Sequence, residues 1–196
     1  MSMIFLALGA ILTIVSVVPY LIDILKGDTK PNLVSWITWT LLTGIATVAE
    51  LVAGEWITAV FTASAVVETG SVVVLGLVKK VYVKYETFDI VCQIAALVGI
   101  VLWLTFNSPL IGVLGALLID LIGALPTVRH SWQKPDEETW LAYGICTIAA
   151  VFGVLALENF NWISLSYPLY IVLINFVMAT VIIYRKRVKT QELVEV

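Results

Sequence analysis

Charge is scarce in this sequence: 13% of its 196 residues are Asp, Glu, Lys or Arg, where a soluble domain carries about 25%. Histidine occurs once and cysteine twice, and Cys92 and Cys146 sit apart in apolar runs. That excludes a zinc site, which needs clustered ligands, and a secreted disulfide scaffold. No Gly-rich phosphate loop and no nucleophile triad is present, and no Lys or Arg falls in the middle of an apolar run. The last absence excludes a retinal Schiff base, which needs a lysine at that depth, and leaves any internal carboxylate without a basic partner. What is abundant is apolar: 61% of residues are hydrophobic and the mean hydropathy is +1.03. A chain of this kind must bury surface, so it is not disordered, and the solvent it suits is lipid.

A bilayer-spanning helix takes about 20 residues. Apolar runs broken at charge clusters or Gly/Pro/Asn turns predict spans at 3–25, 33–53, 57–78, 87–106, 109–130, 139–157 and 163–184. Runs of this length lack the period-2 alternation of a membrane barrel. The breaks at Gly54-Glu55, Asn107-Ser108 and Glu158-Asn159 carry no Lys or Arg, whereas those at 26–30, 79–84 and 129–134 are basic. With seven spans, all eleven Lys and Arg fall on one side, which the positive-inside rule makes cytoplasmic. The fold class expected is therefore an all-α, multi-pass integral membrane protein with its N-terminus outside and C-terminus cytoplasmic, in a cell membrane or a prokaryotic inner membrane. The first span lacks a basic leader and a small-residue cleavage site and reads as retained. The tail beyond Lys189 is short and polar enough to fray. Since the basic residues are the ordinary inner-face population, nucleic-acid binding is not expected; the partners are the lipid bilayer and a small-molecule substrate, with homo-oligomerisation left open.

The chain also repeats itself. Pro19 and Pro126, 107 residues apart, stand near the inner ends of spans one and five. Lys30-Pro31 then matches Lys134-Pro135, Trp36 matches Trp140 at an offset of 104, and Thr43 matches Thr147. Spans one to three repeat as five to seven, with span four as the extra crossing that keeps an odd-numbered unit parallel. The units are residues 1–85, a linker helix at 86–106, and residues 107–196.

Through this 3+1+3 plan, the inner-end prolines, and the loop Lys26-Gly27-Asp28-Thr29-Lys30-Pro31 leading to Ser35-Trp36, essentially the whole chain resembles the SWEET, PQ-loop and PnuC-type transporter superfamily. Tyr20 and Thr127 follow the prolines where a PQ-loop protein carries Gln, and spans two and six lack the interior prolines of plant SWEETs. The resemblance implies alternating access between two three-helix bundles around a central substrate site, without a cofactor. In SWEETs an Asn on the third helix of each repeat binds substrate; by the resemblance Asn175 occupies one such position and Glu68 its partner.

Several residues are candidates for that site. Glu68 and Asp120 lie near the middle of spans three and five, where a carboxylate costs at least about 2.5–3.5 kcal/mol and normally faces a bundle interior. They could couple to a proton or cation, or serve as hydrogen-bonded packing. Trp36, Trp39 and Thr43 share a helical face by their spacing, as do Trp140, Tyr143 and Thr147. Trp39 and Tyr143 could sandwich a ring or cation, while Trp36 and Trp140, at the inner boundary, read as interface anchors. Trp56, Trp103 and Trp162 read as outer belt residues. Pro19 and Pro126 are candidate hinges, with Asp23 and His130 one turn later as a gate latch or as solvated helix ends. The expected function is a secondary transporter or facilitator of a small polar metabolite: a sugar, a vitamin or nucleoside, or a cationic solute. The alternative is a receptor that binds a ligand in the same cavity without moving it. An enzyme is not expected, for want of a nucleophile–base or metal pair.

Overall fold

The computed structural model describes residues 2–54, 56–103, 105, 109–157 and 162–194. Among these the chain forms seven α-helices: α1 Ser2–Lys26, α2 Leu33–Ala53, α3 Trp56–Lys79, α4 Thr87–Trp103, α5 Pro109–Gln133, α6 Trp140–Ala156 and α7 Trp162–Val194. A 3-10 turn at Pro135–Glu137 precedes α6. The breaks at Asn107-Ser108 and Glu158-Asn159, Glu55, and the side chain of Trp103 lie outside the described residues.

Local sequence explains the ends that can be seen. Asn32 caps α2 by accepting from the Val34 N–H, and Gly54 ends it in the left-handed region at φ 81°, where its N–H reaches Glu50 O and Leu51 O as C-cap glycines do. The tail expected to fray instead continues α7 to Val194, with Lys189 paired to Asp136 and Thr190 Oγ1 bonded to Lys186 O.

Four stretches are long and apolar enough to cross a membrane: Met3–Lys26, Leu33–Val52, Ala59–Lys79 and Leu165–Glu192. The apolar helices at Thr87–Leu102 and Trp140–Ala156 are shorter. The surface is consistent with lipid contact. Val52, Val60, Val74, Leu118 and Leu173 are exposed, while Thr13, Ser16, Thr38, Thr127 and Asp120 are buried. Exposed apolar area of this extent marks a membrane or partner surface rather than a water-facing one.

The packing has a definite pattern. Helix α3 lies against both α1 and α2, and α7 against both α5 and α6, while among the described residues the backbones of α1 and α2, and of α5 and α6, do not come within 8 Å of each other. The two groups meet along two seams, α1 on α6 and α2 on α5, and α4 packs on α5 and α2. Glycine permits the close approach at each seam. A Cβ on Gly9 would stand 3.2 Å from Ala149 O, and one on Gly123 only 2.7 Å from the Thr38 methyl.

One end of the bundle is polar and tied together. Lys30 pairs with Glu137 at 2.6 Å, Arg129 with Glu86 at 2.7 Å, and Arg185 Nε donates to Trp132 O at 3.0 Å. Backbone bonds run from Lys30 N to Glu137 O and from Val83 N to Pro31 O. The three basic turns and the last turns of α7 therefore gather at this end, which is called the basic end below.

Candidate functional site

Between the two helix groups lies a cavity of about 150 Å³, a size that admits a single six-membered ring. Helical periodicity puts one face of each contributing helix on it: Trp36, Trp39 and Thr43 from α2, Glu68 from α3, Asp120 from α5, Tyr143 and Cys146 from α6, and Tyr167 and Asn175 from α7. The structure thus brings together Trp39, Thr43, Glu68, Asp120, Tyr143 and Asn175, all singled out from the sequence. Thr147 is the exception. It is not in the cavity wall, and its hydroxyl bonds back to Tyr143 O at 2.8 Å.

The two carboxylates are held differently. Glu68 Oε1 accepts from Ser16 Oγ at 3.2 Å and from Cys146 Sγ at 3.4 Å, so α1, α3 and α6 converge on it. Asp120 Oδ2 accepts from Tyr170 Oη at 2.8 Å, and the indole of Trp39 reaches the same carboxylate. Neither is ion-paired among the described residues, and the described cavity wall holds no Lys, Arg or His. The Asn175 amide donates within its own helix, to Ile171 O at 2.9 Å. Among the described residues no group of three or more His, Cys, Asp and Glu could hold a metal ion.

Toward the basic end the cavity stops at an aromatic plug. Tyr20 and Trp36 meet at a tilt with 4.8 Å between centroids, Trp36 meets Trp39 edge-on at 5.2 Å, and Tyr143 meets Tyr20 edge-on at 6.2 Å. This corrects the reading of Trp36 as an interface anchor: it is 3% exposed. Tyr20 of α1 and Tyr143 of α6 lie against it, so nearness to a helix end does not mean nearness to the interface. Trp140, by contrast, is 41% exposed, and Trp56 and Trp162 are exposed as well. Trp36 meets both Trp39 and Tyr143, at 5.2 and 6.5 Å between centroids.

Beneath the plug, Glu138 is 1% exposed, and Tyr20 and Tyr143 both donate to its Oε2, at 3.0 and 3.4 Å. Burial pushes its carboxyl up to about 8, against the opposing pull of the two tyrosine hydroxyls and Lys186. Lys186 Nζ bonds the backbone oxygen of the same residue at 2.9 Å. Sequence reasoning missed Glu138, as it missed Ser16, Cys146, Tyr167 and Tyr170. A usable signal existed for Tyr167: Tyr167 and Ile171 precede Asn175 at intervals of four on one face of α7.

Pro19 and Pro126 lie inside α1 and α5, each removing one helical hydrogen bond. Each stands beside a fully buried residue, Tyr20 or Thr127. The latch candidates are not freely solvated. Asp23 Oδ2 accepts from Thr139 Oγ1 at 2.8 Å, and Thr139 also bonds Thr29 at 2.6 Å. His130 is 5% exposed, with Nε2 3.4 Å from Glu137 Oε2. The two residues meet the same loop but not each other. Comparison of the chain with family models, with curated proteins and with solved structures finds no match.

Proposed function

We propose that this chain is a seven-span transporter of the SWEET and PQ-loop type, N-terminus outside, that moves a small polar solute by alternating access between two parallel three-helix bundles joined by α4. The observation that carries the reading is the cavity itself. It lies between the two helix groups, two carboxylates from opposite groups face it, and an aromatic plug closes it toward the basic end. The packing supports a repeat, since α3 bridges α1 and α2 as α7 bridges α5 and α6, and the seams α1/α6 and α5/α2 exchange under the same pairing.

The wall chemistry narrows the solute. With Glu68, Asp120 and several aromatic rings but no basic side chain among its described residues, the site favours a cation, or a neutral solute accompanied by a proton, over an anion. Glu68 and Asp120 take the positive charge, Trp39, Tyr143 and Asn175 contact the solute, and Pro19 and Pro126 flex. In vesicles reconstituted with the purified protein, a saturable flux of one solute class is expected. Glu68→Gln and Asp120→Asn should each lower it at least about tenfold, about 1.4 kcal/mol, with the folded protein retained. Wild-type flux in both variants would overturn the site; binding without flux would favour the receptor.

A further inference from the structure

The seam between α2 and α5 holds more buried polar groups than partners. Among the described residues, six buried side-chain atoms have no protein hydrogen-bond partner. Three of them, Ser35 Oγ, Thr127 Oγ1 and Ser131 Oγ, belong to the basic ends of α2 and α5, and a fourth, His130 Nε2, stands beside them with Glu137 Oε2 at 3.4 Å but not in hydrogen-bond geometry. The register places them in line. Thr38 touches Gly123 across the seam. Ser35 lies one turn nearer the basic end of α2, and Thr127 and Ser131 lie one and two turns beyond Gly123 on α5. Asp120 lies one turn the other way, in the cavity wall. Ser35, Thr127 and Ser131 are fully buried.

These hydroxyls depart from the habit of the rest of the protein. Thr13, Thr38, Thr43, Thr69 and Thr147 all bond back to the carbonyl four residues earlier, the usual way a helix satisfies a buried hydroxyl. Thr127 and Ser131 have the same option in α5 and do not take it. Buried polar groups that lack a protein partner are, in nearly every case, bonded to water, and a buried water makes about three such bonds. The opposite seam, α1 on α6, joins most of its polar groups directly, Ser16 and Cys146 to Glu68, Tyr20 and Tyr143 to Glu138, and Asp23 to Thr139, and leaves Glu138 Oε1 without a partner.

We propose that a file of buried water occupies the α2/α5 seam and carries protons between Asp120 and the solvent at the basic end. The path runs from the Asp120 carboxyl past Thr38, whose Oγ1 accepts from Gln93 Nε2 of α4 at 3.2 Å at the narrow point beside Gly123. It continues to Ser35, Thr127 and Ser131 and ends at His130, which faces Glu137, Lys134, Lys30 and Asp89. Tyr170 and Tyr167 of α7 and Trp39 of α2 surround Asp120. Only O–H and N–H bonds are made and broken along the way, and the charge moved is the proton itself. The proton's use in coupling rests on the transport reading; the hydration of the seam does not.

Hydroxyl radicals generated by X-rays from water test the hydration directly, in nanodiscs and without solute. The reporters are His130 and Cys92. Cys92 is 5% exposed and lies one turn from Ala96, the α4 residue that packs with Leu42 and Ile119 of the two seam helices. Both should be labelled in the wild type despite their burial. The triple variant Ser35→Ala, Thr127→Val, Ser131→Ala should lower that labelling at least about fivefold, relative to exposed Trp140, by removing the groups that hold the water. Unlabelled Cys92 and His130 in the wild type, or equal labelling in the triple variant, overturns the water file. Thr127→Val alone serves if the triple variant does not fold.

In vesicles, Thr127→Val should lower uptake driven by a pH gradient about tenfold with solute binding unchanged, whereas Thr40→Val, a back-bonded threonine away from the seam, should not. Unchanged gradient-driven uptake in Thr127→Val overturns the proton role. Absence of solute flux in the wild type overturns the transport reading and the proton's use in coupling with it, while the labelling still decides the seam.

Discussion

The two seams that join the helix groups use the same material, small residues and hydroxyls beside a cavity carboxylate, with opposite results. Along α1 and α6 the polar groups find each other across the interface, from Glu68 at the cavity through Glu138 under the plug to Asp23 and Thr139 at the basic end. Along α2 and α5 the backbones approach closely at Gly123, and the hydroxyls beyond it bond no protein group. A seam tied by several hydrogen bonds across its interface has much to lose by opening, since each broken buried bond leaves an unsatisfied group. One whose hydroxyls do not bond across it has less. If the groups rock against each other, α1/α6 is the clamp and α2/α5 is the side that changes.

The largest effect should come from breaking the clamp at its fully buried ring. Tyr20→Ala removes the plug's centre and a donor to Glu138, and should cost roughly 3–5 kcal/mol by thermal or denaturant unfolding in detergent.

Glu138→Gln sharpens the comparison through pH. Because burial raises the Glu138 carboxyl from 4.5 to about 8, the folded protein keeps a proton that the unfolded chain has lost across that interval. The wild type should therefore be most stable below pH 4.5 and lose stability as pH rises toward 8. The slope approaches about 1.4 kcal/mol per pH unit at most, with no further contribution above that interval. Glutamine keeps an acceptor for the tyrosines and removes this slope, so the variant's melting temperature should exceed the wild type's at pH 8 and match it near pH 4. Identical pH profiles would show that Glu138 does not titrate as described.

Smallest is the effect of filling the other seam. A methyl on Gly123 would meet the Thr38 methyl at 2.7 Å, and Gly123→Ala should cost about 1–3 kcal/mol by overpacking. A loss as large as that of Tyr20→Ala would erase the distinction between a tight seam and a yielding one.

Much of the cavity was legible in the sequence because charge is so rare there. Glu68 and Asp120 stand out in apolar runs, and the spacing of Trp39, Thr43, Tyr143 and Asn175 placed them on inward faces that the fold uses. Thr147 shows the limit: spacing fixes a face but not how far round it the wall extends. Trp36 and Glu138 were illegible for a shared reason. Each lies near a helix start, where hydropathy expects an interface, and each is buried by chain that returns from elsewhere. Tyr20 covers both, and Tyr143 and Lys186 close over Glu138. Helix count and apolar runs are local properties, whereas the plug exists only once three separate helices have met.

Helix α7 reaches from Tyr167, Tyr170 and Asn175 at the cavity to Lys186 and Lys189, which hold the loop beneath the plug. Its 33 residues make a rod of about 50 Å. On the transport reading, a solute that moves Tyr170 would also move, through this one helix, the lysine that holds Glu138 under the plug.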